Sequence, residues 1–257
     1  MKMTLQGRLF EEGEAMISKA LIKRDFKITG TLWCVITAVM LLLLFALFYA
    51  TSGNPAGVMI IQQFYSLFAA LLPVFYIGSA AKKLIAEQVD NGSFSYVMSA
   101  PIKRRTVTVT QGLFLICSVL MMYLLFCLIG IISFAIWGEF MEVRAFYLLN
   151  LGSFLLNLVI CGIGFLATCL FNSAAKTTAV ATGLPMGFFL LYVVGTFFGS
   201  NKLLSYCKYF TIHSLYNAGD ILAGSSDIIW QFGVLAALAI VSFVAGGYIF
   251  EKKDLPL

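Results

Sequence analysis

Apolar residues fall into six long runs separated by polar breaks: Ile28–Ala50, Val58–Ala81, Val107–Trp137, Ala145–Phe171, Thr178–Gly199 and Ile228–Phe250. A helix crossing about 30 Å of hydrocarbon needs about 20 residues at 1.5 Å each. Each run meets that length, and the third exceeds it, which predicts a tilted or protruding helix. The pattern therefore predicts an all-α membrane protein with six transmembrane helices in one domain over residues 1–257. The breaks differ in kind. The link Thr51–Gly57 is short, with Gly53 and Pro55 as turn formers. Gly138–Arg144 is short and acidic, Asn172–Thr177 is minimal, and Lys82–Thr106 and Ser200–Asp227 are long.

Two flanking segments carry helical periodicity without being apolar all round. In residues 1–27, Leu9, Met16, Ala20 and Leu21 share a face, while Arg8, Glu11, Glu12, Lys19 and Lys23 lie elsewhere. This predicts an amphipathic helix on the membrane surface leading into the first span. A solvated helix is the alternative. In residues 200–227, Leu203, Leu204, Cys207, Phe210 and Leu215 recur beside Lys202, Lys208 and His213, which predicts an interfacial or re-entrant piece. His213, the one histidine, is expected to be solvated there.

Composition strengthens the membrane reading. Hydrophobic residues are 61% of the chain and charged residues 11%, against about 25% charged in a soluble domain. The net charge of +5 is explained by placement rather than by nucleic acid. Fourteen lysines and arginines, including Lys82, Lys83, Arg104, Arg105, Lys252 and Lys253, fall on one side of the spans; Arg144, Lys202 and Lys208 fall on the other. The basic side is expected to be cytoplasmic, with both termini there. Aromatics at run ends, such as Tyr49, Trp137 and Trp230, suit interfacial belts. No cleavable signal peptide is expected.

Several chemistries are not expected. Five of the six cysteines lie inside apolar runs and none forms a CxxC pair, so they read as packing residues rather than disulfides or metal ligands. The span cores contain no Asp, Glu, Lys, Arg or His, which argues against an ion-driven relay or a voltage sensor. There is no phosphate-binding G-x-x-x-x-G-K-[ST] loop, no G-x-S-x-G elbow and no H-E-x-x-H helix. Catalytic residues and a cofactor of the chain's own are therefore not expected. Pro73 and Pro185 fall inside spans and are expected to bend them. Glycines such as Gly152, Gly162 and Gly164 suit close helix packing.

The basic-side loop is the most informative stretch. From Lys82 it runs through Glu87, Asp90, Asn91-Gly92-Ser93 and Val97-Met98-Ser99 to Pro101, Lys103, Arg104 and Arg105. Physically it predicts a helix continuing from the second span, a turn at Asn91-Gly92, a short helix from Ser93, and a stop at Pro101. Glu87 and Asp90 also read as ordinary solvated charges balancing Lys82 and Lys83.

The arrangement of Glu87, Gly92, Ser93, Val97, Met98, Ser99, Pro101 and Arg104 resembles the cytoplasmic signature of type-2 ABC exporter permeases. The ending Phe250-Glu-Lys-Lys253-Asp254-Leu255 resembles that family's basic-acidic-leucine tail. The resemblance implies a permease subunit in a bacterial plasma membrane, paired with a second copy or a related permease. It implies a coupling helix around Ser93–Ser99 that docks on a separate nucleotide-binding ATPase, which would hold ATP and Mg. Glu87 would be structural or part of ATPase coupling. The chain departs from the family at Tyr209–Tyr216, where a proline followed by an aromatic is common and none stands here. An apolar, aromatic chain suits amphipathic or hydrophobic cargo, such as a peptide or antimicrobial-type compound. The competing readings are a membrane scaffold or assembly factor without transport, and an intramembrane enzyme, which the scarcity of buried polar groups disfavours.

Overall fold

The computed structural model describes residues 17–51, 54, 57–93, 104–138, 141–197 and 210–253. Six long helices are long and apolar enough to cross a membrane: α1 (Lys19–Thr51), α2 (Gly57–Asp90), α3 (Arg104–Trp137), α4 (Val143–Leu170), α5 (Ala174–Thr196) and α7 (Ile228–Lys252). A short α6 (Ala218–Leu222) follows a 3₁₀ turn, Ile212–Leu215. No strand occurs among the described residues. The chain is an all-α membrane protein.

The first two helices begin and end beyond their apolar runs. Lys19 to Lys27 belong to α1 itself, so the described part of the expected N-terminal surface helix is the charged foot of the first span. Likewise α2 runs nine residues past Ala81, ending at Asp90. A helix satisfies its own backbone, so nothing obliges it to stop where the hydrocarbon does. Residues 1–16 of the predicted surface helix lie outside the described residues.

α4 is the central element. Two-thirds of its apolar window is buried (67%), against 22% for α1 and 17% for α7. Small residues on different sides of α4 explain this. A Cβ on Gly162 would sit 2.8 Å from Ser242 Cβ and 3.3 Å from the Ala239 carbonyl of α7. One on Gly152 would sit 2.8 Å from the Phe232 ring. One on Gly164 would come within 3.2 Å of Ala81 on α2. Where the hydrophobic effect cannot drive helix association, such close approach supplies the dispersion contact. Toward the end of the bundle opposite the lysines, Phe146 of α4 meets Phe48 of α1, Phe134 of α3 and Tyr65 of α2 edge to face, at centroid distances of 5.7, 5.4 and 6.1 Å.

Three π-helical turns interrupt the spans: Phe64–Phe68, Lys82–Ala86 and Ala179–Gly183. The last contains Ala181, the residue whose carbonyl the ring of Pro185 would crowd in a regular helix, so the widened turn accommodates the proline. In α2, Pro73 offers no N–H to the carbonyl of Ala69. Side chains of two other helices take over. Tyr123 Oη donates to that carbonyl at 3.0 Å and Asn157 Nδ2 donates at 3.0 Å. Ser153 Oγ stands 2.7 Å from the Tyr123 hydroxyl.

The opposite end corrects one expectation. His213 is not solvated. It is 3% exposed, in the 3₁₀ turn, with its ring 5.4 Å from Phe189 and 6.2 Å from Tyr192 of α5. Tyr216, Ala218 and Ile221 are buried beside it in sequence, while Phe210 stays exposed. The described part of the expected interfacial segment therefore tucks its turn back onto the bundle. Residues 200–209 of that prediction lie outside the described residues.

Candidate functional site at the basic end of the bundle

Eleven described lysines and arginines lie at one end of the bundle: Lys19, Lys23, Arg24, Lys27, Lys82, Lys83, Arg104, Arg105, Lys176, Lys252 and Lys253. The end of α2 sits among them. Its π turn Lys82–Ala86 widens the backbone, and the freed carbonyls receive side chains. Gln88 Nε2 donates to the carbonyls of Lys83 and Leu84 at 3.2 and 2.8 Å. Gln111 Nε2 of α3 donates to Leu84 as well, at 2.9 Å.

Beyond this turn, α2 is tied to each helix around it. Toward α1, Arg24 Nη1 donates to Gln88 Oε1 at 2.9 Å, and the same guanidinium pairs with Asp25 Oδ1 at 2.7 Å. Asp25 is fully buried, and its second oxygen has no partner among the described residues. Toward α4, the Ala86 N–H donates to Thr168 Oγ1 at 3.1 Å. Toward α5, Asp90 Oδ2 accepts the N–H of Ala174 at 3.0 Å. Ser173, at the N-cap position of α5, makes no capping bond of its own. Asp90 supplies the cap from another helix, and a carboxylate also suits the positive end of the helix dipole.

The predicted site residues can now be placed. Glu87 borders a cavity of about 410 Å³ between α1 and α2, lined also by Arg24, Lys83, Gln88 and Ser93. Its Oε2 is buried without a partner among the described residues. Neither Glu87 nor Asp90 pairs with Lys82 or Lys83; the ion pairs among the described residues are Arg24–Asp25 and Arg105–Glu251. The reading of these two carboxylates as solvated counter-charges is thus incomplete: one is a helix cap, the other a cavity wall. Gly92 closes α2 with φ of +70°, a left-handed turn that suits glycine, although a Cβ there would meet no atom within 4 Å. Ser93 Oγ donates to the Gln88 carbonyl at 3.3 Å. Val97, Met98, Ser99 and Pro101 lie outside the described residues.

Arg104 opens α3 away from the Glu87 cavity, at the tail. Its Nη1 donates to the Lys253 carbonyl at 3.0 Å. Lys253 Nζ in turn donates to the carbonyls of Cys169 and Leu170, at 3.0 and 2.7 Å, capping the C-terminus of α4 with a cation. Partial burial pushes the Lys253 ammonium below its ordinary pKa. The structure therefore brings Glu87, Gly92 and Ser93 together and links Arg104 to the tail instead. Arg24, Gln88, Asp90, Gln111 and Thr168 were not predicted. For Gln88, Gln111 and Thr168 the available signal was an amide or hydroxyl inside or just beyond an apolar run.

This face carries polar ties and a cavity but no grouping that could hold a metal: no cluster of three or more His, Cys, Asp or Glu occurs among the described residues. Among the described residues it carries hydrogen bonds between helices and no nucleophile poised beside a base. The family model for ABC-2 family transporter proteins matches residues 49–255. No curated protein matches the sequence. With four-fifths of its length matched, from the last turn of α1 to the tail, the chain belongs to the ABC-2 transporter family and is a transmembrane subunit of an ABC transporter.

Proposed function

We propose that the chain is the permease of an ATP-driven exporter, with its basic end in the cytoplasm of a bacterial cell. Two copies, or this chain and a related permease, pair to form the route. The segment from Ser93 to Pro101 docks on a separate ATPase subunit that binds ATP and Mg. Family membership supports an ATPase partner, since such subunits generally work with one. The observation that carries the coupling reading is the end of α2. It is bonded separately to α1, α3, α4 and α5. A push delivered just after Gly92 would therefore reach four other spans. A helix end with no such ties would absorb the push locally. In this reading the site is a mechanical linkage through packed helices rather than a catalytic centre.

The lack of ionisable residues in the apolar cores supports an external energy source over ion coupling. The apolar, phenylalanine-rich chain supports amphipathic or hydrophobic cargo, an antimicrobial-type peptide or compound being our choice.

The test is purification from the native cells in mild detergent, with identification of co-purifying proteins and assay of ATP hydrolysis. We expect a stoichiometric ATPase. Gly92→Val forces a β-branched residue into a left-handed conformation, at about 1–3 kcal/mol, and should lower hydrolysis or its response to cargo, as should Glu87→Ala. A monodisperse sample with no nucleotide-binding partner would favour a scaffold without transport.

A further inference from the structure

On the opposite side of α1 from the Glu87 cavity lies a second cleft, of about 190 Å³, between α1, α2 and α3. Phe26, Gly30 and Trp33 of α1, Tyr76 of α2, and Phe114 and Met121 of α3 form its walls. Phe26 and Met121 are exposed at its mouth, so it opens on the outside of the bundle. Gly30 leaves the space, because a Cβ there would approach only the Phe26 ring, at 3.5 Å. Trp33 is held in place by donation from Nε1 to the Ser118 carbonyl at 2.8 Å. Tyr76 is fully buried behind these walls.

Three exposed lysines stand over this cleft. Lys19, Lys23 and Lys27 recur every four residues on α1. At 100° per residue, Lys19 and Lys23 project on the same side as Phe26, Gly30 and Trp33, with Lys27 at its edge. From Lys23 to Trp33 the helix rises about 15 Å. None of the three lysines has a hydrogen bond or ion pair among the described residues.

We propose that this cleft binds one anionic phospholipid from the leaflet at the basic end. The phosphate sits on Lys23 and Lys27. One acyl chain fills the slot between Trp33, Phe114 and Met121. The occupant follows from charge and polarity together. The mouth faces lipid, the walls are apolar, and the rim is cationic, which repels a cationic amphiphile and favours an anionic headgroup. Such a lipid would brace α1 against α3 at the foot of the bundle, whatever the complex transports.

The test uses the full chain carrying Trp137→Phe and Trp230→Phe, which leaves Trp33 as the one fluorophore of its kind. It is reconstituted in vesicles containing brominated phosphatidylglycerol or brominated phosphatidylcholine. Bromine quenches tryptophan on contact, so the dependence of quenching on lipid fraction reads occupancy of the slot. Phosphatidylglycerol is expected to compete for the slot more strongly than phosphatidylcholine. Lys23→Gln with Lys27→Gln should reduce that preference about tenfold or more, from the attraction of each lysine near an anionic surface. Gly30→Leu, which fills the slot and leaves the lysines in place, should abolish it. Equal quenching of the parent chain by the two lipids would overturn the proposal without any further variant. A preference that survives Gly30→Leu would also overturn it, by showing attraction to the surface alone.

Discussion

His213 shows how one residue can be misjudged from its surroundings in sequence. It stands in a link between two spans, between Ile212 and Ser214, yet it is buried against Phe189 and Tyr192, with both ring nitrogens unpartnered among the described residues. Burial disfavours the imidazolium and lowers its pKa from 6.5 to about 4. The sign follows from proton counts. Between these two values the unfolded chain binds the proton and the folded chain does not, so stability falls as pH drops through that window. The full difference corresponds to about 3 kcal/mol, from the 2.5-unit interval at 1.36 kcal/mol per unit. Thermal midpoints in detergent should therefore fall between pH 6.5 and 4 more steeply for the parent chain than for His213→Phe. Identical pH profiles would mean that the ring is solvated or paired. Asp90 illustrates the reverse case. It is an exposed carboxylate, yet it caps α5, a role worth about 0.5–2 kcal/mol for an ordinary cap.

At the scale of the element, α2 is the helix in which irregularity concentrates. It contains two π turns and Pro73, and both Pro73 and the second π turn are met by side chains from neighbouring helices. The carbonyl of Ala69 receives Tyr123 and Asn157 because Pro73 cannot serve it. This predicts a specific non-additivity. Asn157→Ala should lower stability by about 0.5–2 kcal/mol, the range for interhelical hydrogen bonds in membranes. In a Pro73→Ala background the returned N–H occupies the carbonyl, and the same substitution should cost less. Reversible unfolding in mixed micelles can measure all four corners of that cycle. Equal costs in the two backgrounds would disconnect the network from the proline. If the cycle closes as expected, the polar cluster at the middle of the bundle is a consequence of the bend in α2, and not a binding site.

At the scale of the whole molecule, charge is segregated. Among the described residues the basic end holds eleven lysines and arginines, and Arg144 lies toward the other end. The segregation predicts the basic end inside the cell. In a cysteine-free background, a cysteine introduced by Asn91→Cys should react with an impermeant thiol reagent only after permeabilisation. One introduced by Ser225→Cys should react in intact cells. The opposite pattern would invert the orientation and with it the docking of a cytoplasmic ATPase. The same scale explains why α4 is central: it alone carries close-packing small residues toward both α2 and α7, so it can be approached from several sides.

Membrane residence, the number of spans and the gathering of the basic charges at one end were legible in the amino-acid order, because each depends on a sum over many residues. Lipid demands runs of about 20 apolar residues, and no local contact can disguise them. The turn at Gly92 was legible too, since few residues take a positive φ. What the order could not reveal is which polar groups meet. Gln88 and Gln111 converge on Leu84 from two helices, and Asn157 reaches Ala69 across 88 positions of sequence. Those meetings depend on the rotation of each helix about its axis, which a nearly uniform apolar surface barely encodes. Asp25 shows the same limit: it is fully buried although it stands in a basic stretch. Only packing chose the faces, through a few small residues such as Gly78, where any side chain would overlap Thr182.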